Sequence, residues 1–395
     1  MIPYSRQQVD KKDIDAVNTA LRSKFITQGR KINIFENKIC KKTGSKYGVA
    51  VNSATSALHI SCIALGLKTN DYLWTVTNTF VASANCGLYC GAKIDFVDID
   101  IETFNISIEK LNRKLDLASK KKKIPKIIVA VDFGGNPYDH EALYKLSKKF
   151  GFKIITDASH SLGSRYKNYF VGGCKFSDIT VFSFHPVKPI TTAEGGIAVT
   201  NNKNLFEKLK IYRNHGINKD IKKYKKKINE KWYYEQIDLG FNYRMNELQA
   251  ALGISQLKKL DNFNMKRNKI AEIYKKKLED LPIKFQKIEK NNFSSYHLFV
   301  ILFPKSIMRK NTYNDVFNFF LKNKIDVNLH YLPVHLHPFM RSKGFREKMY
   351  PIAEEYSKRA ISLPIYPSLT IQNLNKVIKI INKILNKYFK NEIIK

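Results

Sequence analysis

Residues 181–196 read VFSFHPVKPITTAEGG: an apolar, β-branched and aromatic run, a lysine set between two prolines, then a glycine pair. Lysines normally keep their ammonium in water. Lys188 instead stands where a buried strand ends. Similar short runs precede and follow it: GVAVNS (48–53), LWTVTN (73–78), KIDFVDI (93–99), KIIVAVDF (126–133), KIITDAS (153–159) and GIAVT (196–200). Strands apolar on both faces, alternating with helical segments, predict a mostly parallel sheet covered by helices, an α/β architecture. Ligands of such sheets bind beyond the carboxyl ends of the strands. The polar residues gather there, at Asn52–Thr55, Asn78–Thr79, Asp157–His160 and Ser183–Lys188.

The texture changes near residue 255. NELQAALGISQLKKL (246–260) has helical spacing, and two later strands are predicted at 296–303 and 326–333. We expect a large α/β domain over 1–255, with a substrate segment at its N-terminus, and a smaller α+β domain over 256–395. The 395 residues accommodate both.

The formal net charge is +35, almost all of the excess lysine. Clusters such as KKKK (120–123) and KKYKKK (222–227) fall between apolar segments, where helix ends and solvated loops belong, so the charge suits anionic small molecules and does not by itself mean nucleic acid. No apolar run is long enough to span a membrane and no signal-peptide core opens the chain, so a cytoplasmic protein is expected. The five cysteines fit neither a disulfide framework nor a zinc site and read as reduced, buried small hydrophobes.

Four local signals converge on Lys188. In NSATSALHISCIAL (52–65), small hydroxyl residues open a helix whose free N–H groups can grip a phosphate, although Ser and Thr are also ordinary caps. Asp157 ends a strand, where its carboxylate can hold a protonated ring nitrogen or simply make a turn. Phe80 follows a strand closely enough to stack on a flat ring, or to fill core. Lys188, if desolvated, can form a Schiff base. One cofactor would use all four: pyridoxal 5′-phosphate.

NSATSAL, DASHSLGS, FSFHPVKPITTAEGG, YRNHG and NYRMNELQAALGISQL resemble the DegT/DnrJ/StrS family of nucleotide-sugar aminotransferases. With FITQG (25–29), they most resemble the branch serving pseudaminic acid synthesis. The resemblance implies a fold-type I, pyridoxal-phosphate-dependent homodimer with sites at the subunit interface. Lys188 would carry the cofactor and move protons, Asp157 would pair with the ring nitrogen, His160 would sit beside it and Phe80 would stack on the ring. Ala54, Thr55 and Ser183 would hold the phosphate, joined by Asn242 across the interface. Tyr4, Lys24, Phe25, Ile26, Thr27, Arg244, His330 and Tyr331 would meet the sugar nucleotide. The implied reaction converts a UDP-linked 4-keto-6-deoxy-N-acetylhexosamine to its 4-amino sugar, with glutamate as donor. The alternatives are another nucleotide keto-sugar, of the GDP-perosamine or dTDP-amino-sugar kind, or a basic nucleic-acid binder on a degenerate fold. Lys188 argues against the dehydratases of the family, which carry histidine there.

Two positions depart from the family pattern: Ala193 stands where many members have glycine, and Asp132 where many have histidine. HYLPVHLHP (330–338) groups three histidines, but no carboxylate or cysteine is near in sequence and two prolines break any ligand face. It reads as a packed or substrate-facing loop, with no metal expected.

Overall fold

In the computed structural model, described over residues 1–218, 220, 224, 230, 232–309 and 312–389, the chain opens with helices α1 (Lys11–Leu21) and α2 (Arg30–Thr43). A βα alternation follows: β1 (Tyr47–Val51), α3 (Ala54–Ala64), β2 (Tyr72–Val76), α4 (Ala82–Leu88), β3 (Lys93–Val97), α5 (Ile108–Lys120), β4 (Ile127–Val131), α6 (His140–Phe150) and β5 (Lys153–Asp157). A small hairpin, β6 (Arg165–Tyr166) and β7 (Tyr169–Phe170), leads into β8 (Ile179–Ser183) and β9 (Gly196–Thr200). Then come α7 (Lys203–Arg213), the ribbon β10 (Ile217–Asn218) and β11 (Glu235–Gln236), α8 (Glu247–Leu257) and α9 (Leu260–Leu278). The last part holds β12 (Lys284–Phe285), β13 (Phe299–Leu302), α10 (Thr312–Lys322), α11 (Pro338–Arg341), α12 (Pro351–Ser357), β14 (Ala360–Leu363) and α13 (Ile371–Tyr388).

All seven runs that read as strands between 48 and 200 join one sheet, in the order β1-β9-β8-β5-β4-β2-β3. Its pairs are parallel except where β9 runs backward between β1 and β8. Every residue of β4, IIVAV, is buried, as a central strand covered on both faces requires. Helices bury their apolar sides on the sheet, with local signals at their ends. Ser53 caps α3 by accepting from the Ser56 N–H, and Asn246 and Gln249 form a reciprocal capping box on α8. Gly151 ends α6 in the left-handed conformation, φ +81°.

A second sheet, β12-β13-β14, is antiparallel. It packs with α9, α10 and α13 around a core that includes Phe299, Phe320, Val377 and Ile381, and the N-terminal Ile2 joins it. The segment 326–333 is not a strand. Only Asn328 bridges to Ser362, and the chain then turns away to bring Asn328–Tyr331 to the mouth of the large sheet. Strand pairing is given up there to deliver side chains.

The lysines of 120–123 sit at the end of α5 and the turn after it, exposed. Most of 222–227 lies outside the described residues. Cys40, Cys62 and Cys86 are buried as the composition suggests, whereas Cys90 and Cys174 are half-buried; all five are free thiols.

Candidate active site

The parallel strands β1, β2, β4, β5 and β8 end at one edge, and β9 begins there. At this edge lies a cavity of about 600 Å³ lined by Lys188, Asp157, His160, Ser183, the first turn of α3, Phe80, Tyr4 and the 328–331 segment.

Lys188 stands on the loop joining β8 to β9. The loop folds back on its own start: the Lys188 N–H donates to the His185 carbonyl (2.9 Å), and the Thr192 N–H and Thr191 hydroxyl both donate to the Phe184 carbonyl (2.9 and 3.1 Å). Proline on either side removes two backbone donors and stiffens the turn. The residue is half-buried, but its amine is desolvated, which pulls its pKa down to about 8; the Asp157 carboxylate opposes that pull.

Asp157 ends β5 and pairs in register with Val181 of β8, so its carboxylate and Lys188 come from neighbouring strands. One carboxylate oxygen accepts from the Ser83 hydroxyl (2.7 Å); the other accepts from the Ser159 hydroxyl (2.6 Å) and N–H (3.1 Å). His160 is buried next to it. Its Nδ1 accepts from the Gly134 N–H (3.2 Å), so its proton lies on Nε2, which faces the Tyr331 hydroxyl (3.2 Å). Burial, followed by the charge of Lys188, holds His160 well below the ordinary imidazole pKa, and it is neutral.

The other wall is the start of α3. A helix leaves its first N–H groups without carbonyl partners, and here the Ser53 hydroxyl serves only Ser56. The N–H groups of Ala54 and Thr55 remain, beside the Ser183 hydroxyl. α3 reaches this position because residue 196 is glycine: a Cβ there would stand 2.5 Å from the Ala54 nitrogen. Phe80, 57% exposed, closes the mouth with Tyr331, ring centres 6.2 Å apart. Tyr331 is held by its N–H to Asn78 Oδ1 (2.9 Å) and His330 by Nδ1 to the Ser362 hydroxyl (2.8 Å). Burial and Lys188 push His330 down to about 3.

Most of the residues anticipated from sequence therefore meet: Tyr4, Ala54, Thr55, Phe80, Asp157, His160, Ser183, Lys188, His330 and Tyr331 all line one cavity. Six do not. Lys24, Phe25, Ile26 and Thr27 are exposed, with Thr27 bridged to Asn246. Asn242 is exposed and bridged to Asn214, whose side chain also accepts from Arg244 (2.6 Å). Arg244 lines a separate cavity of about 500 Å³ with Gln28, Gly29 and Arg213. None of these six lines the cavity that holds Lys188.

Asp132, the departure noted above, is fully buried and accepts from His140 Nε2, Ser161 and the Tyr138 N–H. It fastens the loop after β4 and is not in the cavity lining. Ala193, the other departure, has φ +64°, which explains glycine's use there. The structure adds Ser83, Ser159 and His297, which sequence reasoning missed. His297 opens the run before β13, and a polar residue heading an apolar strand was the available signal. Of the three histidines in 330–338, His330 faces the cavity, while His335 bonds Thr77 and Glu354 (2.6 and 3.0 Å) as packing. Among the described residues no group of three metal-ligating side chains converges.

A desolvated lysine amine, an anchored carboxylate and an open helix N-terminus in one α/β cavity define the aminotransferase class that works through an aldehyde cofactor. The chain belongs to the DegT/DnrJ/EryC1/StrS aminotransferase family, which matches residues 7–382. It is 39% identical over 389 residues, 98% of each chain, to the UDP-4-amino-4,6-dideoxy-N-acetyl-β-L-altrosamine transaminase of Campylobacter jejuni. Its structure resembles Helicobacter pylori PseC, an aminotransferase involved in the biosynthesis of pseudoaminic acid (TM-score 0.89, 32% identity, covering 98% of this chain and 100% of that one). It also resembles the PLP form of the putative sugar aminotransferase Spr1654 from Streptococcus pneumoniae (TM-score 0.87, 26% identity, covering 98% and 99%).

Proposed function

We propose that this aminotransferase uses pyridoxal 5′-phosphate to move an amino group from an amino acid, glutamate foremost, to the 4-keto carbon of a UDP-linked 4-keto-6-deoxy-N-acetylhexosamine, for pseudaminic acid synthesis. The observation that carries the reading is the meeting of Lys188, Asp157 and the α3 N-terminus in one cavity. The Campylobacter and Helicobacter relatives support the choice of sugar.

Bound pyridoxal phosphate supplies an electron sink and carries the amino group between the two half-reactions. The chain's residues do the rest. The Ala54 and Thr55 N–H groups and the Ser183 hydroxyl bind the phosphate, with the α3 dipole behind them. Asp157, its oxygens already fixed by Ser83 and Ser159, would accept from a protonated ring nitrogen of the cofactor. Lys188, with its pKa near 8, keeps about a tenth of its amine unprotonated at pH 7 for attachment and then takes and returns the proton at Nζ. Phe80 would pack on the bound ring, and Tyr4, His330 and Tyr331, which line the same cavity, would contact the sugar.

We place Asn242, Arg244 and Lys24–Thr27 in the partner's cavity of a homodimer. None of them lines the cavity that holds Lys188 of the same chain, which supports this. In this reading residues 1–255 form the cofactor-binding domain and 256–395 the smaller one, each with a sheet of its own; the enzyme is cytoplasmic. Among the described residues no helix is long and apolar enough to cross a membrane.

Visible absorption of the purified enzyme tests this in sequence: cofactor, then glutamate, then the UDP-4-keto-6-deoxy sugar. The expected result is a cofactor band that bleaches with glutamate and returns with the sugar. A band that bleaches and never returns would reject the acceptor, and a GDP or dTDP keto-sugar panel would then find the right one. No band at all would reject the role of Lys188.

A further inference from the structure

Two buried side chains next to the cofactor cavity hold polar atoms that the mechanism leaves idle. Arg267, on α9, is 1% exposed, and its Nε and Nη1 have no hydrogen-bond partner among the described residues. Its neighbours on the helix fix its place. Asn264 donates to the Leu162 carbonyl (3.1 Å) and Asn268 to the Ser294 carbonyl (3.0 Å), so α9 lies against the turn after His160 and the approach to β13. Arg267 and Lys188 together line a second, small cavity of about 10 Å³. That space holds about one water, and no carboxylate lines it. Burial pulls the guanidinium pKa down to about 10, which leaves it charged at pH 7. A buried cation without a counter-charge is costly, and such exceptions gather at functional sites.

His297 is the other. It is 2% exposed, its Nδ1 is buried without a partner among the described residues, and it lines the cavity that holds Lys188. The segment carrying it is firmly held. The Ser295 N–H donates to Ser164 Oγ (2.9 Å), the Ser295 hydroxyl to the His160 carbonyl (2.6 Å), and the Leu298 N–H to the Gly134 carbonyl (3.2 Å). The rings of His297 and His160 stand 4.5 Å apart. Burial, reinforced by His160, Lys188, Arg267 and His330, holds His297 well below the ordinary imidazole range, so it is neutral and keeps one N–H to donate.

The charges around the cavity do not balance on this side. Asp157 is already bonded by Ser83 and Ser159, and Glu194, the other carboxylate in the lining, is exposed. An anion that meets His297 finds a hydrogen-bonding imidazole and, close by, a cation with no partner. Every amino-acid donor brings such an anion, its carboxylate, whereas the keto-sugar ring brings none. We propose that His297 binds the carboxylate of the amino donor and that Arg267 is a positioning residue whose unpaired charge draws that carboxylate in. This rests on the transaminase reading above and adds to it the place where the donor is recognised.

The test uses the cofactor-loaded enzyme, with bleaching of its visible band by glutamate as the probe. A glutamate titration gives an apparent Kd for the first half-reaction, and the KM of the UDP-sugar at saturating glutamate reports the second. Arg267→Met removes the charge and leaves no partner unpaired, so stability in denaturant melts should be unchanged or raised. Its apparent Kd for glutamate should rise at least about tenfold, the scale of one lost hydrogen bond to a charged group, while the sugar KM holds. His297→Leu should show the same split between the two substrates. Lower stability of Arg267→Met, with both substrates affected alike, would reduce the residue to a structural role and overturn the proposal. Unchanged glutamate affinity in either variant would overturn it too and leave the transaminase reading intact. A parent enzyme that no amino acid bleaches would overturn both.

Discussion

Replacing Asp157 by asparagine should lower the pKa of Lys188 in the cofactor-free enzyme. In the parent, desolvation drives the amine down and the Asp157 carboxylate pulls it back up, the balance falling near 8. Take pH 7.5: a lysine at 10.5 has about 0.1% of its amine neutral, and one at 8 has about 24%, an advantage of roughly 240-fold. Asp157→Asn removes the favourable charge and leaves the burial, so the neutral fraction should rise further. Competitive acetylation with trace acetic anhydride across pH 6–11, read by peptide mass spectrometry, gives the midpoint of Lys188 with exposed lysines of the same chain as references. The expected order is variant below parent below surface lysine. The stability sign follows. The folded pKa lies below the unfolded one, so between pH 8 and 10.5 the unfolded chain holds a proton the folded chain lacks, and stability rises through that window. Lys188→Met should therefore stabilise the cofactor-free protein below pH 8 by at most about 3 kcal/mol, a gain that fades between pH 8 and 10.5. A parent midpoint at or above 10, or an upward shift in the variant, would refute the account.

Four more outcomes are expected. Lys188→Ala should abolish covalent cofactor attachment and cut turnover by at least about 10²–10⁴-fold, read as kcat with saturating substrates. Gly196→Ala drives a Cβ to 2.5 Å from the Ala54 nitrogen; overpacking of this kind costs about 1–3 kcal/mol, and cofactor affinity, measured by fluorescence titration, should fall with it. Ala193→Gly should stabilise by up to about 1 kcal/mol in denaturant melts, because relief at φ +64° exceeds the added chain entropy. His330 sits near 3 against an unfolded value near 6.5, so stability is lost as pH falls from 6.5 toward 3; His330→Asn should flatten that slope by about 1.4 kcal/mol per pH unit, one proton's worth.

How much of this was legible in the sequence depended on how local the cause was. Seven strands read correctly because burial on both faces writes an apolar run that needs no partner to be recognised. Lys188 and Asp157 stood out because each breaks such a run at its end, and both line the same cavity. Ser83 could not be found that way: it looks like any small helical residue until the α4 N-terminus is laid against β5 and its hydroxyl meets Asp157. The segment 326–333 alternates well enough to read as a strand, yet it pairs only at Asn328, because delivering His330 and Tyr331 to the cavity competes with the ladder. Arg244 and Lys24–Thr27 are a different case: sequence does not say in which cavity a residue stands, and in this chain none of them lines the cavity that holds Lys188.

The reversed strand ties these parts together. Had β9 run parallel to β8, the connection would have to carry the chain back along the length of the sheet, and the first residue of β9 would lie at the wrong edge. Running antiparallel, β9 starts at the ligand edge, directly against Ser183, with Gly196 opposite it in register. The loop between them is short enough to fold back on Phe184, which holds Lys188 over the cavity. Gly196, one residue past that loop, is also the point where α3 settles on the sheet. The same sixteen residues thus build the strand beside Asp157, the lysine loop and the seat of the phosphate-binding helix. A change at the glycine should therefore disturb both the phosphate end and the lysine end of the site, whereas a change at Phe80 should disturb only the ring between them.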